Sequence, residues 1–172
     1  MNAPAQWLIA HGQWPTHAEQ SAAARRLLWQ LVGDDLEVAH NEQGAPYLPA
    51  RPRLHISLSH CRTAVAAALS ADRPVGIDIE SRRRIGPGLA ERICTPGEQH
   101  TIESSADPAM AFLQLWTRKE AVLKCRGTGI RGFGSMTAAL GASDITVTDL
   151  ATGDPDTAAA LAIGPQHSAI RH

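Results

Sequence analysis

This chain lacks the apolar run of a membrane span, the cysteine pairs of a metal site and the basic excess of a general nucleic-acid binder. No apolar run approaches the roughly 20 residues that a helix needs to cross a bilayer. Cys61, Cys94 and Cys125 are scattered and form no CxxC pair, and an odd count without framework spacing suits free thiols in a reducing cytoplasm. The eight histidines form no HExxH and no zinc spacing. Sixteen Lys and Arg against 17 Asp and Glu leave a net charge of −1, without the basic excess of a general nucleic-acid binder. The N-terminus lacks the basic and apolar regions of a signal peptide. A cytoplasmic protein with neither membrane nor nucleic acid as partner is expected. Low-complexity tracts and residue-level repeats are absent too.

What is present is an ordinary globular composition, 44% hydrophobic over 172 residues, enough for one domain or two small ones. Within it, residues 112–124 place charge where a helix should be apolar. At helical spacing Phe112, Leu113, Leu115, Trp116, Val122 and Leu123 share one broad arc. Lys119 and Glu120 fall inside that arc and Lys124 at its rim. A buried, unpaired charge costs several kcal/mol, so each other, a metal ion or an anionic ligand must compensate these groups. A plain Glu120–Lys124 pair, worth about 0.2–0.5 kcal/mol, is the simplest alternative. Trp116 is expected in the core.

A second segment, Val75-Gly-Ile-Asp-Ile-Glu80, alternates as a strand does. Val75, Ile77 and Ile79 point to one face, Asp78 and Glu80 to the other. Adjacent carboxylates repel unless they face solvent or a cation sits between them, and hard divalent ions take such oxygen ligands. Asp78, Glu80 and Glu120 can form one acidic cluster with Lys119 and Lys124 beside it. Acids for a metal and lysines for phosphates together suggest phosphoryl or diphosphate chemistry.

The remaining pattern predicts a helix over 18–32 carrying Arg25 and Arg26, then a Gly/Pro turn around Gly44-Ala-Pro46 and a strand over 54–60. Residues 63–70 are small and apolar and fit a short helix or a strand. Thr95-Pro-Gly-Glu98 has the form of a capped helix start. The charged helix runs from about Pro108 to Cys125, ended by Gly127, with Gly129, Gly132 and Gly134 in a loop. Residues 144–150 and 158–163 read as a closing hairpin, and 164–172 as a frayed tail. The basic run at Arg82 is expected in a solvated loop.

Taken together, the Val75–Glu80 strand and Trp116-Thr-Arg-Lys-Glu-Ala-Val-Leu-Lys124, with Gly127 and Gly129 after it, resemble the 4′-phosphopantetheinyl transferases, specifically the Sfp-type branch. Leu58-Ser-His60 resembles that family's phosphate-contacting Ser-His segment. Gly44-Ala-Pro46 stands where the family usually has Gly-Lys-Pro, so Ala45 replaces a lysine. The resemblance covers roughly residues 20–163.

It implies an α+β fold of two similar small lobes related by a pseudo-twofold, with residues 1–73 and 74–172 as the lobes, the active site between them, and a monomer. It implies transfer of the phosphopantetheine arm of coenzyme A, the co-substrate, to a serine of an apo acyl or peptidyl carrier protein, releasing adenosine 3′,5′-bisphosphate. Asp78, Glu80 and Glu120 would hold Mg²⁺, with Mn²⁺ as an alternative. Glu120 and Lys124 would be catalytic, Glu120 or a water it orients taking the serine proton. Ser59, His60, Lys119, Lys124, Gly44, Pro46 and Arg26 would bind coenzyme A; for Lys119 a buried acid is an equally good partner, and for Arg26, water. The Arg82–Arg84 run is a docking surface for an acidic carrier protein on this reading. A degenerate relative that binds coenzyme A or a carrier without chemistry is the alternative function.

Overall fold

The computed structural model describes residues 4–83, 86, 88–128, 133–141 and 144–166. The first sheet holds β1 (Gln6–His11), β4 (His55–His60) and β5 (Ala64–Ser70) in the order β1-β5-β4. Between β1 and β4 come α1 (His17–Val32) and a small hairpin of β2 (Ala39–His40) and β3 (Pro46–Tyr47). The second sheet holds β6 (Val75–Ser81), β7 (Thr146–Asp149) and β8 (Thr157–Ile163) in the order β6-β8-β7. Between β6 and β7 come α2 (Leu89–Ile93), α3 (Pro96–Glu103), α4 (Pro108–Arg126) and α5 (Phe133–Ala138). All strand pairs are antiparallel, which makes the fold α+β.

Side-chain alternation stacks these elements in four layers. On β5, Val65 and Ala67 join Ala23, Ala24, Leu27 and Leu28 of α1, while Ala64, Ala66 and Ala68 face the second sheet. There they meet Val75, Ile77 and Ile79 of β6 and Ala159 and Leu161 of β8. On the far side Ala160 and Ala162 pack with Phe112, Val122 and Leu123 of α4. Alanine on both inner sheet faces lets the layers approach closely. It also hides β5 from sequence reading, because alanine favours helix and only the ladders to β1 and β4 make this run a strand. The strand β1 escapes the sequence pattern altogether; its partner β5 decides it.

Helix boundaries follow local chemistry. Thr16 and Thr95 each form a reciprocal capping box, with Glu19 and Glu98, and Gly33 and Gly127 end α1 and α4 in the left-handed conformation. The expected 108–125 helix extends one residue to Arg126. Residue 134, expected in a loop, lies in α5; Gly129, Gly132 and the tail from 167 lie outside the described residues.

The two sheets meet at their edges. Ser57 Oγ and Ser59 Oγ accept hydrogen bonds from the Ile77 and Ile79 N–H groups at 3.0 and 3.2 Å. The exposed edge of β6 is thus satisfied by side chains of β4, not by another strand. On the opposite face α4 lies directly on β6: a Cβ on Gly76 would sit 2.0 Å from the Ala121 carbonyl oxygen and 2.4 Å from the Cys125 nitrogen. Both obstacles are backbone and cannot rotate away. Gly76→Ala should therefore cost at least about 3 kcal/mol, read as a lowered melting temperature; an unchanged one would show that the helix can lift off the strand freely.

Candidate active site

The β4–β6 seam and α4 enclose a cavity of about 580 Å³ between the two sheets. Ser59 and His60 of β4, Asp78 and Glu80 of β6, Glu120 and Lys124 of α4, and Gly44 and Pro46 of the β2–β3 turn all line it. Eight of the residues singled out from the sequence thus converge from four separate elements.

At its centre Asp78, 4% exposed, is gripped from two sides. Ser59 Oγ donates to Asp78 Oδ1 at 2.7 Å, and Lys124 Nζ donates to the same oxygen at 2.7 Å. Lys124 also reaches the carbonyls of Ile77 at 3.2 Å and Leu58 at 3.4 Å, so its ammonium sits across the seam. The alternative of a plain Glu120–Lys124 pair gives way to Lys124–Asp78, the ion pair that the strand carboxylate makes at 2.7 Å. The other oxygen, Asp78 Oδ2, is buried and has no hydrogen-bond partner among the described residues.

The neighbouring acids are short of compensation. Burial, then the charge of Asp78, pushes Glu80 above the usual carboxylate range. The same two causes, burial first, push Glu120 up to about 7, with Glu80 adding to the rise and Lys124 opposing it. Among the described residues no three His, Cys, Asp or Glu side chains are gathered into a closed metal-ligand set. The fit to a divalent ion rests on the donors themselves: three hard carboxylates on one cavity, one with an orphaned buried oxygen, two with proton affinity raised by crowding.

His60 carries the opposite imbalance. Burial, followed by the charges of His17 and Lys124, holds it below the usual imidazole value, with a further small push from Arg25. Its Nδ1 lies 3.2 Å from Gln20 Oε1. Gln20 Nε2 donates to the Trp14 carbonyl at 2.9 Å, which fixes the amide orientation and makes His60 Nδ1 the protonated nitrogen.

Two expected ligand contacts are corrected. Lys119 does not reach the cavity. It is wholly buried on the other flank of α4, where Nζ donates to Glu98 Oε2 at 2.8 Å and to the carbonyls of Ile93 and Met136, each at 3.0 Å. Its partner is the acid of the α3 capping box, because the helix turns Lys119 away from the face bearing Glu120 and Lys124. Arg26 is exposed and does not line the cavity; Arg25, one position earlier, is the arginine whose charge reaches His60. Ser59 lines the cavity, but its hydroxyl is engaged by Asp78 and the Ile79 N–H. Arg82 is bound by Asp107 and Asp156, so it staples the end of β6 to the start of α4 and the β7–β8 loop. Arg83 lies over Trp116 and 3.8 Å from Glu80; Arg84 is outside the described residues. Trp116 both packs on the core and lines the cavity.

Sequence reasoning missed His17, His40 and Gln20. His17, Ser21 and Ala24 lie four and three residues apart and line the cavity as one stripe of α1. That spacing was legible, but nothing in the sequence says that this stripe faces a site.

A model of the 4′-phosphopantetheinyl transferase superfamily matches residues 74–170, more than half of the chain. The chain belongs to that superfamily. Among curated relatives, the 4′-phosphopantetheinyl transferase ffp of Bacillus subtilis is 33% identical over 104 residues, 59% of this chain and 46% of the relative. The 4′-phosphopantetheinyl transferase AcpT of Salmonella typhi is 34% identical over 124 residues, 70% of this chain and 65% of the relative. HetI of Nostoc, also a 4′-phosphopantetheinyl transferase, is 31% identical over 131 residues, 68% of this chain and 55% of the relative. The chain spans about half to two thirds of the length of these relatives.

Two outcomes test this superfamily member's electrostatics. The folded protein retains a proton on Glu120 that the unfolded chain releases from about pH 4.5, so Glu120 erodes stability as pH rises from there to about 7. Glu120→Gln should stabilise the metal-free protein by on the order of 2 kcal/mol at about pH 8 and by little at about pH 5. Equal melting shifts at both pH values would contradict the assignment. Lys119→Ala strands Glu98 and two carbonyls and should cost about 3–5 kcal/mol, seen in chemical denaturation.

Proposed function

We propose that this protein transfers the 4′-phosphopantetheine group of coenzyme A to a serine hydroxyl of an apo acyl or peptidyl carrier protein. The observation that carries this reading is the single cavity in which Asp78, Glu80 and Glu120 stand with Lys124 and His60, in a chain of the transferase superfamily. In the reaction the serine oxygen bonds to the phosphorus bearing the pantetheine arm. The bond from that phosphorus to the bridging oxygen breaks, and adenosine 3′,5′-bisphosphate leaves.

Each residue then has a part. Asp78, Glu80 and Glu120 would hold Mg²⁺, or Mn²⁺ in its place. The ion, when bound, supplies positive charge against the diphosphate. Ser59 and Lys124 fix Asp78, so that one oxygen is spent within the protein and Oδ2 is left for a ligand. Lys124, within reach of the cavity, offsets negative charge on the phosphates. Glu120, or a water that it orients, receives the serine proton. His60 contacts a phosphate, and Gly44 and Pro46 border the nucleotide.

The same reading treats residues 1–73 and 74–172 as two lobes related by a pseudo-twofold. The strand orders support it: β1-β5-β4 with α1 corresponds element by element to β6-β8-β7 with α4. With both lobes in one chain the site is complete in a monomer. Three free cysteines suit a cytoplasmic setting, and no described helix is long and apolar enough to cross a membrane. Ala45, at a cavity position where the resemblance leads one to expect lysine, is the observation that favours the alternative of a binding module without chemistry.

Intact mass measurement of an apo carrier protein, after incubation with this protein, coenzyme A and Mg²⁺, decides between them. A gain of one phosphopantetheine, lost with EDTA, is expected. Asp78→Asn should lower the rate by roughly a hundredfold or more. No gain, with coenzyme A still bound, would mark a binding module.

A further inference from the structure

The geometry points to His17 as a second phosphate-contacting imidazole, paired with His60 so that coenzyme A binding takes up protons. This rests on the transferase reading of the cavity. His17 is the first residue of α1, is exposed and lines the cavity. Its ring meets that of His60 edge to face, with centroids 4.8 Å apart and an interplanar angle of 83°.

The charged groups that bear on His60 among the described residues are cations. Towards His60 stand His17 and Arg25 from α1 and Lys124 from α4, and Lys124 is already bound to Asp78. Gln20, also from α1, accepts from His60 Nδ1 without supplying charge. Glu80 of β6 shares the cavity. Burial and the neighbouring His17 and Lys124 disfavour the charged form of His60, and a phosphate against it would reverse that.

The turn supplies a second reason. Ala45 lines the same cavity between Gly44 and Pro46, offering a methyl group where a cation would serve an anionic ligand. With its Nδ1 proton held by Gln20, His60 directs Nε2 to other partners, and His17 adds a second donor on the helix stripe that also carries Ser21 and Ala24. The anion-binding wall on this side is thus built from imidazole in place of lysine. The charge of His60 is gained when the ligand arrives and is lost as pH rises through its bound-state value.

Isothermal titration of the full chain with coenzyme A tests this, in buffers of different ionisation enthalpy and at about pH 6.5 and about pH 8.5. The wild type should bind more tightly at the lower pH and take up protons. His17→Gln, at an exposed position that should not disturb folding, should bind roughly fivefold to tenfold more weakly at the lower pH. It should also take up fewer protons. His17→Lys should bind with less dependence on pH than the wild type. Dephospho-coenzyme A identifies the group contacted: a His17→Gln loss that vanishes with this ligand assigns the 3′-phosphate, and one that persists assigns the diphosphate. Unchanged affinity and proton uptake in His17→Gln would overturn the inference while leaving the transferase reading intact. If the wild type neither binds coenzyme A nor loads a carrier, that reading fails and the inference fails with it.

Discussion

The close seating of α4 on β6 at Gly76 is the constraint on which the site depends. One residue without a side chain lets helix backbone rest on strand backbone. Two positions along the strand, Asp78 then lies at hydrogen-bond distance from Lys124. Any spacer at Gly76 would open that distance and separate Glu120 from Asp78 and Glu80. The glycine of the Gly-Ile-Asp-Ile-Glu segment is therefore a packing requirement of the acidic cluster, since its backbone is ordinary extended strand with no need for a left-handed conformation.

The same seam explains how charge is tolerated inside an otherwise alanine-rich core. Lys119 and Lys124 leave α4 on different flanks and are neutralised differently. Lys119 is saturated by Glu98 and main-chain carbonyls, so it ties α4 to α3 and to the end of α2. Lys124 is joined to an acid that keeps one oxygen unsatisfied. A saturated charge builds structure; an unsaturated one marks where a ligand is needed. Crowding of Glu80 and Glu120 against Asp78 carries the same meaning, because the protein holds negative charge together with less compensation than it requires.

Across the cavity the imbalance is of opposite sign. His17 and His60 line the same cavity as the acids, and the charges of Arg25 and of Lys124, which is bound to Asp78, act on His60. A ligand that carries both phosphates and a divalent cation satisfies both walls at once. Coenzyme A with Mg²⁺, the pair proposed above, is one ligand of that description. The β4 serines have a part in both walls: they close the edge of β6 and hold Asp78, and they set His60 at the end of the same strand.

Much of this was legible in the residue order. Alternation along 75–80 put Asp78 and Glu80 on one face, and helical spacing put Lys119 and Glu120 where burial would demand partners. Such local periodicities hold because strand and helix geometry are set by the backbone, whatever surrounds them. The capping box at Thr95 and the stop at Gly127 are equally local. Tertiary structure alone decided the rest. It made the alanine run 64–70 a strand by pairing it on both edges, and it found β1 in a segment with no clear pattern. It gave Lys119 to Glu98 and Lys124 to Asp78, and it brought His17 against His60 from 43 positions away. Which partner a charge meets depends on the distances between elements, and those are fixed only when the layers pack.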